Sequence, residues 1–320
     1  MFFLNPPLVR ETEVFTRMPE RFRRASERTE WAVANRGGQP TDSFLEGPVF
    51  DAKGNHFVTD IPFGRIFRID PKGEWEQIAE WAGEPNGMKF LNERELLITD
   101  YRNGLMSCDI ASGTVRPYLE RRNSERFKGV NDLTFDSRGN LYFTDQGQTG
   151  LHDPTGRLYR LRPDGRLDML LANVPSPNGV ALSPDERVLY LGVTRGNQVW
   201  RVPLLDDGSV AKVSAFFTSY GSSGPDGLAV DETGRVIVAN PGLGVAWVLS
   251  PRGEPEVVLR SSAGASLTNV AFGCADRRTL YCTESVSGCV LRASLEHPGL
   301  PIHHAAASES RATNDSGVPT

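Results

Sequence analysis

The chain has 320 residues, 35 of them Lys or Arg and 40 Asp or Glu, giving a net charge of −5. That balance argues against a nucleic-acid role, because phosphate binding needs clustered Lys and Arg. No apolar run is long enough to span a bilayer, and Met1 to Val9 is too short for a signal-peptide core, so a cytoplasmic protein with no membrane partner is expected.

Residues 1–45 precede any repeat and read as an N-terminal extension. Its basic run, Arg21 to Arg28, is interrupted by acids and reads as solvated surface. From residue 46 to about 300 the chain repeats six times, at a period of about 40 to 48 residues. Each unit opens on a polar turn: Glu46-Gly47-Pro48, Pro85-Asn86-Gly87, Val130-Asn131-Asp132, Pro177-Asn178-Gly179, Pro225-Asp226-Gly227 and Thr268-Asn269-Val270. A strand-like run, a Gly-containing turn and a second strand follow, the latter ending at Asp60, Asp100, Asp145, Thr194, Asn240 or Glu284. Runs such as Leu141-Tyr142-Phe143-Thr144 and Val236-Ile237-Val238 are β-branched or aromatic and bounded by turns, and third and fourth strands follow them. Four strands per repeat predict an all-β fold, a six-bladed β-propeller with four-stranded blades around a central channel, and a single domain over residues 1–320. No stretch shows sustained helical periodicity.

The sixth repeat has only three clear strands. Either residues 13–35 or Leu300 to His304 could supply its fourth, and the N-terminal segment is the preferred source; closure removes two sheet edges. Residues 303–320 read as a disordered tail. Cys274, Cys282 and Cys289 fall in this repeat and read as buried free thiols, since no C-x-x-C pair occurs. The five tryptophans, Trp31 among them, read as blade packing. Residues 121–128 and 218–223 are both candidate lids.

Equivalent positions at the start of each inner strand converge on the channel mouth. Glu46, Asn131, Asn178 and Asp226 therefore offer two carboxylates and two amide oxygens to one point. Hard divalent cations take such a set, Ca²⁺ first, with Mn²⁺, Mg²⁺ or Zn²⁺ as alternatives, whereas dedicated zinc sites recruit His or Cys. Asn, Asp and Gly before strands are also ordinary turn formers. Glu at position 46 is not, and that favours a ligand ring. Asn269 is expected on the far side of that ring from the ligands. Asp60, Asp100 and Asp145, each following a Thr, either brace loops or touch substrate.

Together, Val14-Phe15-Thr16, Leu45-Glu46-Gly47-Pro48, Pro85-Asn86-Gly87, Asn131-Asp132-Leu133, Phe143-Thr144-Asp145, Ser176-Pro177-Asn178-Gly179 and Gly224-Pro225-Asp226-Gly227 resemble the calcium-dependent lactonases of the senescence-marker-protein, gluconolactonase and luciferin-regenerating-enzyme group. The resemblance implies one catalytic divalent cation held by Glu46, Asn178 and Asp226, with Asn131 beside metal or substrate and Asp226 as the base. Asn86, Asn131 and Asp145 are the candidate substrate contacts. Two departures bear on the substrate. An arginine of the sugar lactonases is replaced here by Gly129, and the loop Gln146-Gly147-Gln148-Thr149-Gly150 with His152-Asp153 is closer to the drug-responsive lactonases.

The expected function is hydrolysis of a small lactone, of the sugar-acid type met in carbohydrate metabolism, by a monomer or small homo-oligomer. The metal would polarise the carbonyl while Asp226 activates water. A phosphorus-directed hydrolase of the diisopropyl-fluorophosphatase type and a non-enzymatic ligand-binding propeller are the alternatives, since fold alone does not fix function. No G-x-S-x-G nucleophile elbow occurs.

Overall fold

A computed structural model describes residues 5–24, 28–221, 223–301 and 303. The chain folds into six antiparallel four-stranded blades around a channel. The third blade is typical, running Val130–Phe135, Leu141–Asp145, Gly156–Leu161 and Leu167–Val174 from the channel outwards. Each blade is packed on both faces, so its inner strands are buried along their whole length, as in His56–Asp60 and Val188–Val193. Apolar clusters fill the gaps between neighbouring blades; Leu97 of the second blade meets Leu133, Phe143 and Tyr159 of the third. Outer strands such as Thr114–Leu119 face solvent and lose the continuous apolar pattern.

The N-terminal segment ties two blades together. Leu8–Glu11 runs parallel to Pro255–Arg260 on the edge of the fifth blade. Glu13–Arg17 then pairs antiparallel with Cys289–Ser294 as the fourth strand of the sixth. Between them, buried Thr12 donates its Oγ1 hydroxyl to the Arg260 carbonyl at 3.0 Å. The 300–304 alternative runs elsewhere: Leu300 N–H donates to the Val230 carbonyl at 3.0 Å, beneath the fifth blade. His304 and the rest of the expected tail, apart from His303, lie outside the described residues.

Four other expectations need correction. Residues Glu30–Arg36 form a helix, capped by the Thr29 hydroxyl accepting from Ala32 N–H at 3.1 Å and stopped by Gly37 in the left-handed region at φ 60°. Seven residues are too few to leave a visible period. This helix buries Trp31 and Ala32 against Ile61 and Phe44 of the first blade, so Trp31 is not blade packing. Arg23, in the basic run, is structural: its guanidinium donates to Asp42 at 2.6 Å and to the Ser287 carbonyl. The cysteines are free, but Cys274 is exposed.

Inner strands carry a bulge at their start. Pro85 pairs with Asp100 but the next pair is Met88 with Ile98; Val130–Asp145 is followed by Leu133–Phe143, and Pro177–Val193 by Val180–Leu191. Two inner residues thus oppose one partner, which bends the strand and re-aims its side chains. A hoop of hydrogen bonds fixes the result. The Oγ1 hydroxyls of Thr59, Thr99, Thr144 and Thr194 donate to the carbonyls of Asn86, Asn131, Asn178 and Pro225 in the next blade, Gly227 N–H donates to the Thr268 carbonyl, and Thr268 Oγ1 to that of Leu45.

Candidate metal centre

At the bulged end of the channel lies a cavity of about 940 Å³ whose floor includes Glu46, Asn86, Asn131, Asn178 and Asp226. All five come from first-strand starts. Glu46 is 2% exposed and Asn131 4%, so any charge there is poorly solvated. Asp226 is half-buried, its open edge facing the cavity.

The electrostatics favour a cation. Burial pushes the Glu46 carboxyl up to about 7, against hydrogen bonds from Gly47 N–H at 2.6 Å and Asn269 Nδ2 at 2.7 Å. The Asp226 carboxyl is raised well above its ordinary range by burial and then by the charges of Glu46 and Asp132; a hydrogen bond from Asn178 and the charge of Arg195 oppose this. Asn131 donates Nδ2 to Gln146 Oε1 at 3.1 Å, which leaves its Oδ1 buried without a donor. Mutually repelling carboxylates and an orphaned amide oxygen fit a divalent cation that prefers oxygen. Among the described residues no three His, Cys, Asp or Glu side chains group as ligands, so amide oxygens must complete this set.

The ladder reassigns the sixth blade. Leu267 pairs with Glu284 as Val130 pairs with Asp145, so Thr268, not Asn269, is the counterpart of Asn131. Thr268 lines the cavity and Asn269 takes the place of Asp132: both donate their backbone N–H to a Thr hydroxyl, that of Thr283 at 3.1 Å and that of Thr144 at 3.0 Å, and the side-chain Oδ1 of each accepts from the next residue's N–H. A one-residue slip turns a side chain to a different face. Asn269 therefore lies next to Glu46 and holds its Oε2, rather than on the far side of the expected ligand set.

Asp145 does not reach the cavity. It is fully buried, with Oδ1 accepting from Gly129 N–H at 2.8 Å. Asp60, Asp100 and Glu284 do the same for Phe44, Glu84 and Ser266 at 2.7, 3.0 and 2.8 Å, so this second ring braces the loops entering each inner strand. Among the described residues of the two candidate lids, 121–128 contribute nothing to the cavity and 218–223 only Ser223. Its wall is built instead by the helix, through Trp31, Asn35 and Arg36, and by the 146–152 loop. Asp132 also escaped the repeat pattern. It sits where Gly87, Gly179 and Gly227 stand in other blades, and a Cβ at Gly87 would lie 2.5 Å from its Oδ1.

Gly129 has a steric cause. A Cβ there would stand 2.5 Å from the ring of Tyr101, whose hydroxyl accepts from Gln148 Nε2 at 3.0 Å, and its φ of 154° disfavours other residues.

Residues 44–286 match the family model described as the SMP-30/Gluconolactonase/LRE-like region. The chain belongs to that family. It is 30% identical to a Staphylococcus aureus protein named lactonase drp35, over 66% of this chain and 68% of that one. It is 31% identical to a Zymomonas mobilis protein named gluconolactonase, over 71% and 72%. Its fold matches a calcium-binding regucalcin of Agrobacterium tumefaciens with a TM-score of 0.74 at 22% identity, covering 94% of this chain and all of the other. Within the family frame, the departures in the 146–152 loop have a structural effect, because Gln146 orients Asn131 and Gln148 holds Tyr101 against Gly129.

Proposed function

We propose that the protein is a metal-dependent lactonase that opens the ring of a small lactone at this channel mouth. The observation that carries the reading is that Glu46 and Asp226 line one cavity floor together with Asn131, whose buried amide oxygen has no hydrogen-bond donor. Relatives named lactonase and gluconolactonase support the reaction class. Glu46, Asn178 and Asp226 are the ligands we assign, with Asn131 completing the set and Ca²⁺ the ion the all-oxygen chemistry favours.

When bound, a divalent cation polarises the lactone carbonyl and stabilises charge on its oxygen. Asp226, which lines the cavity, accepts a proton from the attacking water. Glu46 is fixed by Asn269 and Gly47, so one of its oxygens is committed to the scaffold and the other is left for the cation. Asn131, turned by Gln146, presents its carbonyl oxygen to the site, and Asn86 lies within reach of the substrate. No nucleophilic serine is required.

A lactone-panel assay on chelator-treated protein, with and without restored Ca²⁺, tests the reading. Hydrolysis should disappear with the metal and return with it; full turnover in metal-free protein, or turnover of organophosphates without lactones, contradicts it.

A further inference from the structure

Resting on the lactonase reading, the charge around the cavity narrows the substrate. Its charged lining residues are Glu46 and Asp226, together with Arg36 and Arg195, and His152 at the rim. A divalent cation offsets the two carboxylates. What remains is two guanidiniums, neither of which has a carboxylate partner or a side-chain hydrogen bond among the described residues; Arg102, by contrast, is already engaged by Glu30 and Glu84.

The two arginines reach this cavity from elements attached to the first and fourth of the six blades. Arg36 ends the helix seated on the first blade. Arg195 lies in the short turn Thr194–Gly196 that ends the second strand of the fourth blade. Arg195 and its neighbour Thr194 line the same cavity as Asp226. At Gly129 the Tyr101 ring leaves no room for a side chain, so any cationic grip on the substrate must come from these other walls.

We infer that the preferred substrate is a lactone carrying a second, anionic group, namely the monolactone of a dicarboxylic acid, with Arg195 and Arg36 binding its free carboxylate while the ring carbonyl sits over Glu46 and Asp226. Guanidinium presents paired N–H donors that match a carboxylate, and a positive mouth draws anions to the site. Hydrolysis adds water across the ring C–O bond and gives a hydroxy-dicarboxylate, so the product carries one more charge than the substrate. The ring oxygen leaves as a hydroxyl, and one proton is released at neutral pH.

The test compares two lactones that differ only at the far end: an aldonic-acid δ-lactone with a terminal hydroxymethyl, and the corresponding aldaric-acid monolactone with a carboxylate there. For the Ca²⁺-loaded protein, kcat/KM should favour the charged lactone by at least about tenfold, the scale of one charge-assisted hydrogen bond. Arg195→Gln should remove most of that preference and Arg36→Gln part of it, chiefly through KM, whereas Arg116→Gln, on an exposed outer strand, should preserve it. The ratio is internal to each variant, so a loss of folded protein lowers both rates and leaves it unchanged. Equal or better turnover of the neutral lactone, or a preference that neither variant reduces, overturns the inference while leaving the lactonase reading intact. Hydrolysis of neither lactone overturns both.

Discussion

The inner strands that form the carboxylate-bearing end of the channel also form its opposite end, yet the two ends differ in chemistry. At the mouth, Glu46, Asn131, Asn178 and Asp226 bring oxygens together over bulged backbone. Three residues farther along, Thr134, Ala181 and Ala229 border a smaller cavity of about 330 Å³, walled by Val180, Leu228 and Phe272, with Lys89 as its cation. Regular pairing has resumed there, as in Ala181 opposite Tyr190 and Thr134 opposite Tyr142. The difference shows where the fold concentrates its electrostatic cost. Buried carboxylates oppose folding unless something compensates them, and only the bulged end supplies a set of oxygens that a cation can satisfy.

Substitutions at the two ends should therefore differ sharply. Asp226→Asn keeps an oxygen and almost the same volume but removes the basic carboxylate, so turnover of the best lactone should fall by ~10²- to 10⁴-fold in metal-saturated protein. Ala229→Ser, at the other end of the same strand region, should leave turnover close to the parent value. Steady-state kinetics on both variants would break the comparison if the two losses were alike.

Next in size is the support around Glu46. Asn269→Ala removes the 2.7 Å hydrogen bond to Oε2, and outer partners of metal ligands are typically worth about 10- to 100-fold in affinity. Calcium titration should show that loss, with a smaller change in turnover at saturating metal. An unchanged affinity would mean that Gly47 N–H alone sets the carboxylate.

The smallest effect lies away from both ends. His56 is stacked on Phe50 at 4.4 Å, its ring nitrogens are unpaired, and burial lowers its pKa from 6.5 to about 3. The unfolded chain takes up a proton as pH falls below 6.5 while the folded protein refuses it until about 3, so the stabilisation is present above 6.5 and lost below it. Between pH 7 and pH 5 this group alone should cost about 2 kcal/mol. Urea midpoints at the two pH values should show a correspondingly shallower loss in His56→Phe, and an equal loss would exclude His56 as the source.

Much of this architecture was legible because it repeats. Blade number and the convergence of Glu46, Asn131, Asn178 and Asp226 follow from phase alone, since a closed ring turns equal sequence positions into neighbouring points. What escaped was whatever breaks the phase. The sixth blade enters its ladder one residue out of step, so Asn269 was placed as a ring member although Thr268 holds that position. Asp145 obeys the repeat but serves the backbone, which spacing cannot distinguish from a role in the cavity. The helix bearing Trp31 and Arg36 occurs once and left no periodic trace, and the turn bearing Arg195 has a counterpart at Ile61–Phe63 that carries no charge. For Asp132 a signal existed: glycine stands at its equivalents 87, 179 and 227, and the missing Cβ at Gly87 is what leaves room for the Asp132 carboxylate, whose Oδ1 would otherwise lie 2.5 Å from it.

The central claim is that the oxygen ring holds one divalent cation. Calorimetric titration of metal-depleted protein with Ca²⁺ addresses it most directly, run beside a Glu46→Gln, Asn178→Ala double variant whose fold is checked by circular dichroism. The account predicts one ion per chain in the parent, with a higher melting temperature on binding, and loss of that binding in the folded double variant. Unchanged Ca²⁺ binding in the double variant, or none in the parent, would contradict it.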